Sequence, residues 1–177
     1  IQSFVENEES EKASSFLSKF SRLTRTVLNS SAHDRIKLSD EVELLNNYLS
    51  LEQLKANVAF DFKIEVVQNE DIDDIEIPPL MIQPFVENAV KHGVQGIKNA
   101  EIIVIFQVSD DYVECSVADN GNGIENKSSF DGDHKSLALN IIAERALILK
   151  KKWNKELKIN FKNVDVGTKV DIVLPII

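Results

Sequence analysis

The sequence predicts an α/β (α+β) two-layer sandwich of one sheet and several helices, preceded by N-terminal helices. Apolar residues recur every three or four positions after Ala13, which is the period of an amphipathic helix. From Phe60 to Val66 apolar and charged residues alternate, which is the period of a half-buried strand. The change of period predicts a boundary between a helical segment, residues 1–57, and a mixed domain, residues 58–177.

The composition is that of an ordinary globular protein. The 177 residues are 43% apolar and 28% charged, which excludes wholesale disorder and a disulfide scaffold. The net charge of −9 argues against a nucleic-acid partner, because such a partner requires a basic surface. Cys115 is the only cysteine, and its alternation with apolar residues predicts a buried thiol. The longest purely apolar run, Ile102 to Phe106, is far shorter than the roughly 20 residues that span a bilayer.

Two helices are predicted in the first part of the chain. The first covers residues 11–30. Ser39 is the predicted N-cap of the second, with Asp40 and Glu41 at its positive end, and this helix runs towards Asn57. The pair forms either a helical hairpin or a coiled-coil dimer contact, and periodicity does not separate the two.

The rest of the chain is predicted to alternate between strands and helices. Pro78 and Pro79 start a helix that ends at Gly93. A loop rich in glycine and polar residues covers Asn120 to Lys135. Further strands are expected at residues 100–108, 112–118, 156–161 and 168–174, and a further helix at 137–152.

The helix that ends at Gly93 carries polar residues at Glu87, Asn88, Lys91 and His92, and helical spacing places them on one side. Taken alone, such a stripe is more often a solvated helix face. Asparagine is unfavourable in the middle of a helix, however, and an amide oxygen beside a lysine suits a divalent ion that bridges phosphates.

A second polar motif, Asp-Asn-Gly-Asn-Gly, begins at Asp119 directly after a predicted strand. Two glycines allow a sharp turn and a close approach to a flat ligand, and the carboxylate can accept a hydrogen bond from an exocyclic amine. A simple turn is the alternative explanation. The sequence contains neither a Walker loop nor a GxGxxG motif, which excludes phosphate binding of those two kinds.

In combination these motifs resemble the ATP-binding domain of sensor histidine kinases of the LytS-type class. The segments that carry the resemblance are PFVENAVKHG (84–93), DNGNGI (119–124), HKSLALNIIAERALIL (134–149) and GTKVDIVLP (167–175). IQSFVEN, EKASSFLSKFSRLTRTVL and LSDEVELLNNYLSLEQLK are similar to that class's dimerisation helix and connector. The resemblance covers nearly the whole chain and implies the histidine-kinase/Hsp90-like ATPase fold.

The resemblance implies roles for the polar residues of the first motif. Asn88 corresponds to the asparagine that coordinates the magnesium ion bound to the triphosphate. Lys91 is expected to contact phosphate and His92 to line the nucleotide pocket, while Glu87 is the candidate catalytic residue, acting in proton transfer or at the metal.

The resemblance also implies an adenine site and a lid. Asp119 is expected to receive the adenine amino group, Gly121 and Gly123 to shape the loop, and Thr168 to lie near the adenine end. Residues 124–135 correspond to the ATP lid. Lys135 and the positive end of a helix that starts near residue 136 are expected to contribute to phosphate binding.

Two departures from the family pattern are visible. Ala138 stands where the second glycine box has a glycine, which would weaken ATP binding about tenfold if that position needed a left-handed backbone. The family's phospho-acceptor histidine belongs to an Asn-Pro-His-Phe type motif just upstream of IQSF. None of the three histidines, His33, His92 and His134, is expected to replace it, so this chain is not expected to phosphorylate itself.

The function implied is the ATP-binding, catalytic part of a protein-histidine kinase that uses ATP and Mg²⁺ and relays phosphate to the aspartate of a response regulator. The full-length protein is expected to be a homodimer in two-component signal transduction, with this part on the cytoplasmic side of a membrane-anchored bacterial protein. Two alternatives remain open: a degenerate, non-catalytic dimerising module, which Ala138 favours, and a serine kinase or ATPase of related fold.

Overall fold

The computed structural model describes residues 10–31, 33–55, 60–67, 71–123, 133–162, 164 and 166–177. Two helices come first, α1 (Ser10–Ser31) and α2 (Leu38–Lys55), and they pack against each other. Both predicted helices are therefore confirmed, and within one chain they pack as a hairpin; the dimer contact stays a prediction. Helix α2 begins at Leu38, so the prediction of Ser39 as its N-cap is wrong: Ser39 lies inside the first turn.

The main sheet has five strands in the order β2-β4-β5-β7-β6. The strands are β2 (Phe60–Val67), β4 (Ala100–Val108), β5 (Tyr112–Asp119), β6 (Lys158–Lys162) and β7 (Thr168–Pro175). Only β2 and β4 run parallel; the other three pairs are antiparallel. A separate two-stranded sheet joins β1 (Ile36–Lys37) to β3 (Glu76–Ile77).

One face of the main sheet forms the hydrophobic core with the helices. Alternate residues of β4 and β5 are buried, as the period of two in the sequence requires. They belong to one cluster with apolar residues of α2 and of the later helices. The arrangement is a two-layer α/β sandwich, as the sequence predicts. The predicted thiol burial is also confirmed, because Cys115 lies in this cluster and is fully buried.

The helix before Gly93 differs from the prediction. Pro78 and Pro79 do not start it; Leu80 has a left-handed φ of 57°, and α3 covers Gln83–Asn88. The backbone continues as a π-helical turn over Ala89–Gly93, closed by a hydrogen bond from the Val94 N–H to the Ala89 carbonyl. A π turn is wider than an α turn and is frequent at functional sites.

The last helix, α4 (Asp133–Trp153), begins four residues before the predicted start. Residues 133–135 of the predicted loop therefore belong to its first turn, and the predicted lid residues 124–132 lie outside the described residues. Within the described helices, none is long and apolar enough to cross a membrane. The domain boundary near residue 57 stays a prediction, and the side chains of α2 share the core cluster with the sheet.

Candidate nucleotide-binding site

The geometry of the candidate site is set by Asp119, the last residue of β5. Its side chain is half-buried, and one carboxylate oxygen accepts a hydrogen bond from the Gly121 N–H at 3.0 Å. Burial raises the pKa of the Asp119 carboxyl above its usual value, and hydrogen bonds from the backbone N–H groups of Gly121 and Thr168 oppose part of that rise. A partly desolvated acceptor at a strand end suits a neutral donor such as an exocyclic amine.

Glycines surround this carboxylate at distances that no side chain allows. A methyl group on Gly93 would lie 2.5 Å from Asp119 Cγ and 2.7 and 2.8 Å from its two oxygens. A methyl group on Gly121 would overlap the Gly93 carbonyl, and one on Gly167 would overlap the Asp119 carbonyl. The end of the π turn and the loops at the end of β5 and before β7 therefore meet at one point, where only bare backbone can pack around Asp119.

Asn120 holds the loop after β5 in place. Its side-chain oxygen accepts a hydrogen bond from the Glu101 N–H at 2.8 Å, and its side-chain nitrogen donates to the Asn99 carbonyl at 2.9 Å. These bonds tie the loop to the start of β4, where Asn99 has a left-handed φ of 56°. The position of Asp119 is thus fixed by the sheet on one side and by this anchored turn on the other.

The predicted polar residues are divided between α3, which ends at Asn88, and the π turn, which carries Lys91 and His92. Glu87 is half-buried, whereas Asn88, Lys91 and His92 are exposed. The Lys91 ammonium donates to one Glu87 oxygen at 2.9 Å, and the Gln83 amide donates to the other at 3.1 Å. An exposed ion pair is worth little, so Lys91 can exchange Glu87 for a phosphate at small cost.

Asn88 fits a magnesium ion that is held mainly by phosphates. Mg²⁺ usually takes one or two protein oxygens and completes its shell with phosphate and water. The Asn88 side chain is exposed and offers one such oxygen beside Lys91. Among the described residues, no group of three or more His, Cys, Asp or Glu side chains is placed to hold a metal ion.

The other predicted residues fall into two groups. Thr168 begins β7 opposite Asp119, and Gly123 lies near Gly167 with a φ of +71°, so both belong to the Asp119 end of the site. Lys135 and Ala138 lie in the first two turns of α4, and their side chains are outside the described part of the chain. Ala138 lies inside a right-handed helix, so this structure does not meet the condition, a left-handed backbone, under which Ala138 would weaken ATP binding.

Sequence reasoning assigned no role to several residues that the structure brings to the site. Gly93 and Gly167 contact Asp119. Both belong to segments that carry the family resemblance, and a glycine without an assigned role in such a segment is the sequence signal that could have identified them. Glu41, which is fully buried, and Arg145, which is half-buried, hold the segment before α3, and no signature in the sequence marks either role.

The histidine kinase family matches residues 1–60 of this chain. The sensor histidine kinase/phosphatase LytS of Staphylococcus aureus is 31% identical over 94% of this chain, which spans 29% of that relative. The sensor protein LytS of Staphylococcus epidermidis is 37% identical over 66% of this chain and 20% of the relative. The chain belongs to the LytS-type sensor histidine kinases. It spans less than a third of the length of these curated relatives.

Solved structures of histidine kinases share the fold. The histidine kinase domain of the blue-light activated kinase from Erythrobacter litoralis superposes with a TM-score of 0.59 at 15% identity, over 95% of this chain and 81% of that one. The nucleotide-free catalytic domain of the histidine kinase ThkA gives a TM-score of 0.52 at 17% identity, over 80% and 93% of the two chains. ThkA has also been solved in complex with the response regulator TrrA, with a TM-score of 0.53 at 18% identity and 91% and 48% coverage.

Proposed function

We propose that this chain binds Mg²⁺–ATP and provides the catalytic part of a protein-histidine kinase. The observation that carries the proposal is the Asp119 carboxylate, held half-buried at a strand end where bare glycine backbone surrounds it. Asp119 would accept the adenine amino group, and Thr168, Gly121 and Gly123 would shape the adenine end. Because its substrate is ATP, we place this part of the protein in the cytoplasm.

The phosphate end of the proposed site is α3. Asn88 would hold Mg²⁺, which when bound neutralises charge on the transferred phosphoryl group. Lys91 would leave Glu87 for a phosphate oxygen, and His92 would line the pocket. Released from Lys91, Glu87 keeps its bond to Gln83 and is free to accept the proton of an attacking imidazole. Lys135 and the N-terminal turns of α4 would add positive potential.

The proposed reaction is phosphorylation of a histidine followed by transfer to a response-regulator aspartate. The complex of the fold relative ThkA with a response regulator supports such a partner. A homodimer is supported by the outer face of α1, where Leu17 and Phe20 are 46% and 51% exposed. We expect the wild type to sediment as a dimer and Phe20→Glu to shift it towards monomer. A wild type that sediments as a monomer, or a variant that sediments like the wild type, would contradict this contact.

Calorimetry with Mg²⁺–ATP tests the proposed site. Ligand at 100 times its dissociation constant should raise the free energy of unfolding by about 2.7 kcal/mol. Asp119→Ala should weaken binding with and without metal, and Asn88→Ala should remove the metal-dependent part. Asp110→Ala, the same kind of change on an exposed loop, is the matched control. If the wild type shows no binding heat and no stabilisation, the proposal is refuted, and the non-catalytic signalling module becomes the favoured function.

A further inference from the structure

Glu41 is an ionisable residue buried in the hydrophobic core. Its side chain is 0% exposed, and among the described residues its Oε1 has no hydrogen-bond partner. A buried carboxylate without full hydrogen bonding is costly, and an apolar residue at this position of α2 would avoid that cost. Core packing alone therefore does not explain a glutamate here.

The contacts that Glu41 does make are all with the segment that leads into α3. Its Oε2 accepts a hydrogen bond from the Leu80 N–H at 3.3 Å, and the nearby Ile82 N–H lowers the pKa of the same carboxyl. Leu80 is held at a left-handed φ of 57°, a conformation that costs a leucine energy and needs support from its surroundings.

Ile82 connects these contacts to the helix itself. It occupies the N-cap position of α3, and its apolar side chain cannot accept a hydrogen bond from the first turn. Its carbonyl accepts the first helical hydrogen bonds, from Phe85 at 3.0 Å and Val86 at 3.3 Å. Glu41 therefore lies beside the N–H of the same residue whose carbonyl starts the helix.

A second helix is tied to the same point. The Arg145 guanidinium of α4 donates a hydrogen bond to the Pro79 carbonyl, and its charge lowers the pKa of Glu41 against the larger effect of burial. Further along α2, burial and then the charges of Glu52 and Glu87 raise the pKa of the Tyr48 hydroxyl. The charge of Glu87 therefore also acts on a residue of α2.

We propose that Glu41 is a positioning residue that fixes α3, and with it Asn88 and Lys91, relative to α2 and α4. The inference rests on the proposed function, because it assigns to α3 the phosphate end of a nucleotide site. Its consequence is that the geometry of this end depends on where α2 lies. A group that only filled the core would have no such directional effect.

Two substitutions separate positioning from core filling. Glu41→Leu keeps the volume and removes the carboxylate, so at pH 8 the free energy of unfolding should be unchanged or higher. Glu41→Gln keeps an oxygen acceptor for the Leu80 N–H, so its amide exchange and nucleotide affinity should match those of the wild type. Glu43→Leu, on the same helix with its side chain in a surface ion pair to Arg22, is the matched control.

Amide hydrogen exchange without nucleotide is the first measurement. The amides of Phe85 and Val86 should exchange about tenfold faster in Glu41→Leu, while β4 and β5 stay unchanged. The reason is that the Leu80 N–H loses its charged acceptor, so the Ile82 carbonyl to which these amides donate is less firmly held. Unchanged exchange at these amides, or faster exchange throughout the sheet, would overturn the proposal.

Affinity for Mg²⁺–ADP is the second measurement. Glu41→Leu should weaken binding about five- to tenfold, and Glu41→Gln and Glu43→Leu should bind like the wild type. Equal affinity in all four proteins would overturn the positioning role. A wild type that does not bind nucleotide would overturn the proposed function instead, and the exchange measurement would still decide whether Glu41 fixes α3.

Discussion

The close packing around Asp119 leads to a test in which two glycines serve as a matched pair. Gly167 and Gly96 both have left-handed φ angles, +82° and +74°. A methyl group on Gly167 would overlap the Asp119 carbonyl, whereas one on Gly96 would have no atom within 4 Å among the described residues. Replacing each by alanine thus adds the same backbone strain but crowds the site at only one of them.

The expected losses of stability follow from this difference. An L-residue in the left-handed region costs about 1–2 kcal/mol, which applies to both variants. Gly167→Ala carries an additional cost of about 1–3 kcal/mol, because the methyl group meets backbone rather than a movable side chain. The overlap lies where Asp119 pairs with Thr168, so the strand ends must separate to relieve it.

Urea denaturation and calorimetry together provide the assay. Gly167→Ala is expected to lose about 1–3 kcal/mol more unfolding free energy than Gly96→Ala. It should also bind Mg²⁺–ATP more weakly, because Asp119 moves, while Gly96→Ala keeps the wild-type affinity. Equal stability losses would refute the close-packing argument, and equal nucleotide affinities would show that Asp119 is not part of the binding site.

Three further outcomes are expected. Burial raises the pKa of Glu41 from 4.5 to about 7, so the stability that is fully present below pH 4.5 is lost as the pH rises through 7. Between about pH 5 and pH 8, the unfolding free energy of the wild type should fall by roughly 2 kcal/mol relative to that of Glu41→Gln in urea titrations. Parallel stability curves for the two proteins would contradict this. Burial raises the pKa of the Cys115 thiol, so an aromatic disulfide reagent should label it only as fast as the protein opens, and rapid native-state labelling would exclude the buried thiol. Incubation with γ-labelled ATP should leave no acid-labile, base-stable label on this chain, and a label on any histidine would contradict the expectation. The histidines are His33, His92 and His134.

Patterns that are local in the sequence predicted much of the fold. The period of three to four residues in α1 and the period of two in β2 reflect which side chains face the core, and each is visible within one element. The Asp-Asn-Gly pattern at Asp119 correctly predicted a turn at the end of β5, because asparagine and glycine favour turns wherever they occur.

Helix boundaries were less predictable, since they depend on contacts from elsewhere in the chain. Two prolines at 78–79 are a good local signal for a helix start, yet α3 begins at Gln83. The segment between them is held by Glu41, 39 residues before Leu80, and by Arg145, 66 residues after Pro79. No local pattern contains that information.

The sequence by itself determined the sandwich class, the order of the elements and the polar residues that α3 and the β5 turn contribute. Only the tertiary structure decided that Gly93 packs on the Asp119 carboxylate, that Gly167 packs on the Asp119 backbone carbonyl, and that Glu41 is buried in the core. The physical reason is that hydrophobic periodicity is written along one strand or helix. Close backbone approaches and the burial of a charge arise only when elements distant in sequence pack together.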